Sequence, residues 1–151
     1  MDQPSKLLIL LRYQVSADVW SVPSYTELRR DGLEVERWNR LHPSEAPRVP
    51  YIAQQLQSTQ GPIIAASDYM KTLPDTIGCW LQGRMHSLGT DGFGRSENRE
   101  HLRKFFEVSA EAMVQATLSA LARWGNFDAQ RAQAAVAEMG MDAEKKNPAR
   151  L

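Results

Sequence analysis

The 151-residue sequence predicts an α/β fold in which helices cover both faces of a parallel sheet. Two observations support this. Segments typical of strands alternate with segments typical of helices along the chain. Residues 61–67 (GPIIAAS) are a continuous run of small and apolar residues after a Gly-Pro pair, a pattern typical of a strand buried on both faces of a parallel sheet. The length fits a single domain.

The N-terminal region poses a topological problem. Residues 7–11 (LLILL) are apolar but too short for periodicity to decide between helix and strand, whereas residues 17–22 (ADVWSV) alternate and predict a strand. Only about five residues join the two segments, and a parallel crossover needs a dozen or more. LLILL is therefore either one arm of a hairpin or the end of a crossover helix. We favour the crossover helix, which implies that the chain begins partway into a domain and lacks its first strand.

A long helix is predicted over residues 25–42, after Pro23 and Ser24. Its buried face is expected to contain four large apolar residues: Leu28, Leu33, Trp38 and Leu41. Gly32 weakens the middle of this helix. Three prolines then stiffen an extended segment, and a short helix is predicted up to residue 57.

The central region predicts two more strands, at residues 61–67 and 84–89. Asp68 is positioned to cap a helix that begins at Tyr69 and continues past Pro74 to Leu81. A glycine-rich loop follows the strand at 84–89. A helix is predicted near residues 96–104, with Ser96 as its N-cap and Glu97 in its first turn.

Two helices are predicted in the C-terminal third. Residues 107–125 carry the clearest helical pattern, with Ser109 as the N-cap and Gly125 at the end. Its buried face is expected to contain Val114, Leu118, Leu121 and Trp124. The final helix begins at Asp128 and ends at Gly140. We divide the chain into an atypical segment at 1–14, one domain at 15–141 and a polar, frayed tail at 142–151.

Composition excludes several classes of protein. The chain has 18 basic and 18 acidic residues, so no net charge favours nucleic acid or an anionic membrane as a partner. Its single cysteine, Cys79, cannot form an intramolecular disulfide and is expected to be a buried, inert thiol. LLILL is too short to span a bilayer and no small-residue cleavage site follows it. These features predict a cytoplasmic protein.

The loop at residues 88–97 (LGTDGFGRSE) is the strongest candidate for a binding site. Its glycine spacing matches neither the dinucleotide fingerprint nor the phosphate-binding loop of nucleotide hydrolases. Free amides at the start of the next helix, with Arg95, Ser96 and Arg99 nearby, could hold an anion. The alternative, which we favour, is that the glycines serve a tight turn.

Other candidate residues form no complete catalytic set. Asp68 and Asp91 each follow a predicted strand, so both are expected at the carboxyl edge of the sheet, where α/β proteins bind ligands. His42, His86 and His101 lack the spacing of a local metal site. We therefore assign no catalytic, cofactor-binding or metal-binding residue, and treat Asp68, Asp91, Arg95, Ser96 and Arg99 as candidate loop contacts.

Several long stretches resemble the C-terminal domain of the homodimeric bacterial pyruvate dehydrogenases, the thiamine-dependent decarboxylating components of the pyruvate dehydrogenase complex. They occur in the family's order at residues 21–43, 47–54 (PRVPYIAQ), 65–71 (AASDYMK), 88–108 and 147–151 (NPARL). The resemblance covers nearly everything from about residue 15 onward. Glu97 and Ser109 stand where the family pattern leads us to expect aspartates, and Gln82 where we expect proline.

The resemblance implies a transketolase-like C-terminal domain, a three-layer α/β sandwich with a mostly parallel sheet. Family enzymes decarboxylate pyruvate with thiamine diphosphate and magnesium, and pass the acetyl group to the dihydrolipoyl acetyltransferase core. The cofactor lies between upstream domains that this chain does not contain, and Thr90-Asp91-Gly92 departs from the family's Gly-Asp-Gly magnesium motif. We therefore expect no cofactor on this chain alone. The expected partners are the rest of the enzyme chain or a dimer partner, and the acetyltransferase core.

Overall fold

A small parallel sheet lies between two groups of helices in the computed structural model, which describes residues 10–150. The strands are β1 (Ile63–Ala66) and β2 (Met85–Leu88). The helices are α1 (Tyr25–Leu41), α2 (Tyr51–Leu56), α3 (Thr72–Asp75), α4 (Arg99–Phe105), α5 (Ala110–Arg123) and α6 (Ala129–Glu138), with 3₁₀ turns at Gly78–Leu81 and Pro148–Arg150. This α/β arrangement is the predicted fold class.

The sheet confirms two of the three predicted strands. β1 and β2 are parallel, with Ile63 opposite Met85 and Ala66 opposite Leu88. The Ile63 amide donates to the Arg84 carbonyl at 2.9 Å, and the Ser67 amide donates to the Leu88 carbonyl at 3.0 Å. Both strands are only four residues long, and all their residues are half-buried.

The strand predicted at residues 17–22 is wrong. This segment has no regular secondary structure, and it forms no main-chain hydrogen bond with any residue in the range 10–150. The side chains of Val19 and Trp20 are 45% and 54% exposed. A β-prone sequence becomes a strand only where a neighbouring strand supplies hydrogen-bond partners, and none of the described residues does so here.

The segment before it is helical where the structure describes it. Residues 10–12 form helix, as the crossover-helix interpretation of LLILL requires, and residues 7–9 lie outside the described range. Leu10 and Tyr13 are buried against α5 and α6, and the Tyr13 hydroxyl donates to Glu138 Oε2 at 2.9 Å. Burial raises the pKa of Tyr13 above its ordinary value of 10.0, and the hydrogen bond to Glu138 raises it further.

Gly32, in the middle of α1, has a packing role that the sequence did not reveal. Its N-cap is Ser24, whose hydroxyl accepts from the Glu27 amide at 3.2 Å. A Cβ on Gly32 would overlap the indole ring of Trp80, so glycine allows the 3₁₀ turn to pack directly against the helix. Of the predicted buried residues, Leu28 and Trp38 are half-buried, whereas Leu33 and Leu41 are exposed.

The helix predicted from Tyr69 to Leu81 is broken into two pieces. The chain bends at residues 68–69, and α3 begins only at Thr72, so Asp68 does not cap it. A 3₁₀ turn replaces the second half, and this geometry leaves Cys79 exposed rather than buried. The prediction failed because it assumed an α-helix throughout, whereas Gly78–Leu81 form a 3₁₀ helix, which is wound more tightly.

The caps of the C-terminal helices were predicted with mixed success. Ser109 caps α5 and Asp128 caps α6, as expected, with side-chain oxygens accepting from the Ala112 and Arg131 amides. However, α4 is capped by Asn98 and not by Ser96. Glu97 therefore precedes the helix, and Glu100 is the acidic residue in its first turn.

Two hydrophobic clusters flank the sheet. The α5–α6 cluster consists of Leu10, Tyr13, Val114, Leu118 and Ala135. The sheet cluster consists of Leu56, Ile77 and Leu81, packed with Ile63 and Met85 of the strands and with the half-buried residues Tyr25, Leu28, Ile52 and Trp80. Helix α5 also contacts β1. Trp124, expected in the core, is 40% exposed at the end of α5.

No helix within residues 10–150 is both long enough and apolar enough to cross a membrane.

Candidate functional site at the carboxyl edge of the sheet

The loops that follow the two strands lie against each other at the carboxyl edge of the sheet. The Thr90 amide donates to the Tyr69 carbonyl at 2.9 Å, and the Thr90 hydroxyl donates to the Asp68 carbonyl at 2.8 Å. The Lys71 amide donates to Asp91 Oδ1 at 3.1 Å. The two loops that carry Asp68 and Asp91 are therefore joined by both backbone and side-chain hydrogen bonds.

Two glycines allow this close packing. A Cβ on Gly89 would lie 2.6 Å from the Tyr69 carbonyl oxygen and 2.7 Å from the Lys71 nitrogen, so no other residue fits without moving the neighbouring loop. Gly92 has a φ of +99°, and a Cβ there would lie 3.0 Å from the Ala149 Cα in the C-terminal segment. These contacts favour the tight-turn interpretation of the LGTDGFGRSE loop.

The charged candidates in this loop region are paired with other groups of the chain. Asp68 Oδ2 lies 3.2 Å from Arg103 Nη2 and 3.6 Å from Arg99 Nη2. The Asp91 carboxylate faces Lys71, with its Oδ2 3.9 Å from the ammonium nitrogen. Arg95 stacks over the ring of Phe105 at 4.4 Å. The sequence placed Asp68 and Asp91 at the correct edge but gave no sign of their partners.

The start of α4 offers little to an anion. The His101 amide donates to the Asn98 side chain at 2.9 Å, and the Asn98 amide donates to Glu97 Oε1 at 2.9 Å. A carboxylate of the chain therefore already lies where an anionic ligand would have to bind, while Ser96 remains exposed in the preceding loop. Helix α4 is also short, with seven residues.

An open cleft of about 370 Å³ lies beside these loops. Lys71, Gly89 and Asp91 line one wall, and the other is lined by residues 106–107, by residues of α5 and α6, and by the C-terminal segment at 141–149. Its second lysine, Lys145, donates to the Phe105 carbonyl at 2.7 Å and lies 3.4 Å from Glu107 Oε1. The C-terminal segment, predicted to be frayed, thus contacts the domain through this lysine, which sequence analysis did not single out.

The described residues do not form a cluster of catalytic or metal-binding side chains at this cleft. Within residues 10–150 no group of three His, Cys, Asp or Glu side chains could hold a metal ion. The three histidines are dispersed: His42 ends α1, His86 lies in β2, and His101 begins α4. Among the described residues, the most exposed large apolar side chain is that of Phe93, at 85%, which lies between Gly92 and Gly94 in the glycine-rich loop.

Comparison with known proteins identifies the fold family. Residues 7–109 match the model of the transketolase-like TK C-terminal domain. This chain belongs to that family. The match includes both strands of the sheet, the loops at their carboxyl edge, and α1 to α4.

Several curated relatives carry the same printed name, pyruvate dehydrogenase E1 component. The relative from Pseudomonas aeruginosa is 50% identical over 137 residues, which cover 90% of this chain and 16% of the relative. Those from Escherichia coli strain K12 and Mycobacterium tuberculosis are 48% and 41% identical over 90% and 89% of this chain. The chain thus spans only about 14 to 16% of the length of these relatives.

The described residues do not fit the thiamine diphosphate and magnesium that the resemblance implies for the whole enzyme. Asp91 occupies the position of the acidic residue in the Thr-Asp-Gly sequence, but its carboxylate accepts from the Lys71 amide and faces the Lys71 ammonium group. A cationic side chain beside the carboxylate disfavours a divalent cation there. We therefore derive no catalytic step through the cofactor on this chain.

Proposed function

We propose that this chain is the C-terminal portion of the decarboxylating component of a pyruvate dehydrogenase complex. In this role it contributes packing and dimer contacts, and it is inactive alone. The whole enzyme would convert pyruvate to an acetyl group on a lipoyl carrier, with thiamine diphosphate and magnesium bound outside this chain. The observation that carries the proposal is identity of 40–50% to pyruvate dehydrogenase E1 components over about 90% of the chain.

The site geometry supports a structural role. The carboxyl-edge residues are paired with one another, as described for Asp68 with Arg99 and Arg103, and for Asp91 with Lys71. Phe93, Tyr69 and Met70 remain exposed on the same loops. Exposed aromatic side chains on loops fixed by hydrogen bonds are suited to contact another protein surface. We propose that this edge, together with Arg95 and Ser96, contacts a neighbouring domain or a dimer partner.

The proposal is tested by calorimetric titration of the purified chain with thiamine diphosphate and magnesium. We expect no heat of binding. A pyruvate-dependent dye-reduction assay on the same sample is expected to show no turnover, and turnover would show that the chain contains a complete catalytic site. In that case Asp68 and Asp91 would be the first residues to replace.

A second candidate function is a stand-alone, non-catalytic module that docks on the pyruvate dehydrogenase complex, including its dihydrolipoyl acetyltransferase core. The exposed residues of the carboxyl-edge loops favour it equally. A native protein of the size of this chain that copurifies with the complex from cells would support this alternative. Finding the sequence only within a full-length enzyme would support the first proposal.

A further inference from the structure

We propose that the end of α4 forms a binding site for a primary ammonium group, and that Lys145 fills this site from within the chain. The contact holds residues 142–150, here called the strap, as a releasable cover along one side of the cleft at the carboxyl edge of the sheet. A ligand that presents its own primary ammonium group would compete with Lys145. The inference concerns access to the cleft and does not depend on the proposed function.

The last four carbonyl groups of α4 need hydrogen-bond donors from outside the helix. The carbonyls of residues 102 and 103 accept from main-chain amides just beyond the helix, both at 2.9 Å. The next two accept from a side chain far along the chain, because Lys145 Nζ donates to the Lys104 carbonyl at 3.1 Å and to the Phe105 carbonyl at 2.7 Å. Lys145 thus completes the hydrogen bonding at this end of α4.

Glu107 adds a carboxylate to the site. Its φ of +58° lies in the left-handed region, which glycine adopts more readily, and its Oε1 atom lies 3.4 Å from Lys145 Nζ. An ammonium group has three N–H donors, and two carbonyl oxygens and one carboxylate oxygen surround it here. The Phe105 ring, whose centroid is 5.4 Å from Nζ, also attracts a cation. These groups suit a primary ammonium ion, whereas a quaternary ammonium ion has no N–H to donate.

The strap depends on this contact. Among residues 10–150, the hydrogen bonds between the strap and the rest of the domain come from Lys145 alone. The Asp142 and Asn147 side chains accept only from amides two positions further on within the strap, both at 2.9 Å. Lys145 and Pro148 are half-buried, and the other strap residues are exposed. A segment with so few contacts opens at a low free energy.

The strap covers part of the carboxyl edge of the sheet. Its residues form part of one wall of the cleft, opposite Lys71, Gly89 and Asp91. Ala149 lies against Gly92, where a Cβ would be 3.0 Å from the Ala149 Cα. The carboxyl ends of parallel strands are where open α/β sheets bind ligands. Release of the strap would therefore remove one wall of the cleft and expose the loops that follow both strands.

Lys145 has an advantage over a free amine because it belongs to the same chain. Only residues 142–144 separate it from Met141, whose amide donates to the Val136 carbonyl of α6 at 3.0 Å. A group tethered by a short link has an effective concentration in the millimolar range or above. Binding of a small amine is therefore expected only after the Lys145 side chain has been removed.

The test vacates the site in the full chain. Lys145→Ala removes the ammonium group and most of its stem, and n-propylammonium chloride supplies the missing part. The matched control is Lys146→Ala, which changes the neighbouring, exposed lysine. Amide signals and heteronuclear NOEs of the unaltered chain and both variants are measured by NMR, because the NOE reports backbone motion on the picosecond to nanosecond timescale.

We expect the NOEs of the strap to fall in Lys145→Ala, and the Gly92 amide signal to shift because Ala149 moves away from it. Lys146→Ala should retain the NOEs of the unaltered chain. Lys145→Met keeps the apolar stem but removes the ammonium group, and it should release the strap in the same way even if Lys145→Ala does not fold. An ordered strap in either Lys145 variant, or equal loss of order in Lys146→Ala, would overturn the proposal.

Titration with n-propylammonium chloride tests the ammonium site itself. In Lys145→Ala, the amide signals of residues 105–107 should shift saturably, while the strap NOEs stay low because the added amine is not linked to the strap. The unaltered chain, whose site is filled, should show no saturable shift. Tetramethylammonium chloride carries the same charge without an N–H donor and should also cause no saturable shift. Equal shifts with both salts, or none with n-propylammonium, would overturn the assignment of the site.

A double variant tests the carboxylate. Glu107→Gln combined with Lys145→Ala should weaken n-propylammonium binding by about two- to fivefold, the effect of an ion pair that is partly exposed to solvent. Unchanged affinity in the double variant would overturn the inclusion of Glu107 in the site.

Discussion

The two hydrophobic clusters of this molecule differ in how completely they are closed. Val114, Leu118 and Ala135, at the centre of the α5–α6 cluster, have no exposed surface, and only Leu10 and Tyr13 retain 6% and 7%. In the sheet cluster, Leu56, Ile77 and Leu81 retain 8%, 3% and 4% exposure, and their neighbours are only half-buried. One cluster is formed mainly by contact between two helices, whereas the other depends on a sheet of two short strands.

This difference shows where the fold is self-sufficient and where it depends on additional structure. Helices satisfy their own backbone hydrogen bonds, so α5 and α6 need only apolar contact. A strand depends on a neighbouring strand for its backbone hydrogen bonds, and a unit of only two strands is marginal by itself. The free edges of this two-stranded sheet predict marginal overall stability and association between copies.

The largest expected effect comes from shortening a side chain of the α5–α6 cluster. Leu118→Ala removes side-chain volume from a site without surface exposure, and such changes cost about 2–5 kcal/mol of unfolding free energy. We expect a value near the top of that range. The same change at Leu81, in the sheet cluster, should cost less because its surroundings can collapse more easily. Denaturant unfolding of both variants measures the difference, and a larger loss for Leu81→Ala would reverse the comparison.

The next effect concerns the contact between α1 and the 3₁₀ turn at Gly78–Leu81. Gly32→Ala places a Cβ where the Trp80 ring lies, so the ring must move, and overpacking of this kind costs about 1–3 kcal/mol. The control is Gly78→Ala, because a Cβ at Gly78 meets nothing within 4 Å. Thermal unfolding should show a clear loss for Gly32→Ala only. Equal stability of the two variants would mean that Trp80 does not pack on Gly32.

A smaller gain is expected at a strained residue before β2. Gln82 has a φ of +54°, which glycine adopts at little cost and proline cannot adopt. Gln82→Gly should therefore raise the unfolding free energy by up to about 1 kcal/mol. Gly83→Ala, at a φ of +73°, should have the opposite sign. Chemical denaturation checks both, and destabilisation by Gln82→Gly would show that the side chain matters more than the backbone conformation.

The smallest effect is a pH dependence of stability that comes from Tyr13 in the α5–α6 cluster. The pKa of Tyr13 is raised in the folded state, so its contribution is fully present below the ordinary value of 10.0 and is lost as pH rises through the raised value. Tyr13→Phe removes the bond to Glu138, which lowers stability at neutral pH by about 1 kcal/mol. It should also make stability fall less steeply above pH 10.0. Parallel alkaline titrations that follow circular dichroism measure both slopes, and identical slopes would contradict the assignment to Tyr13.

Sequence reasoning succeeded where the deciding interactions are local. Ser109 and Asp128 were identified as N-caps because a cap contacts an amide three residues away. The strand predicted at residues 61–67 was marked by continuous small and apolar composition after a Gly-Pro pair. The placement of Asp68 and Asp91 followed from strand direction alone, since the ends of parallel strands meet at one edge.

Sequence reasoning failed where contacts between residues far apart in the sequence determine the structure. Residues 17–22 have the composition of a strand but no neighbour to pair with among the described residues. The role of Gly32 depends on Trp80, and the partners of Asp68 on α4 lie 31 and 35 positions further along the chain, at Arg99 and Arg103. No local pattern encodes such pairs. Asn98 was passed over as a cap because the adjacent Ser96 and Glu97 also suit a helix start.

The most direct test of this account is native-state hydrogen exchange of the chain by itself, under conditions where it is monomeric. The account predicts slow exchange at the amides of Val114 and Leu118 in the closed cluster. It predicts fast exchange at residues 17–22 and at the Ile64 and Ala66 amides. Protection of residues 17–22 and of Ile64 and Ala66 in the isolated monomer would show that the chain already completes its own sheet, and would contradict the account.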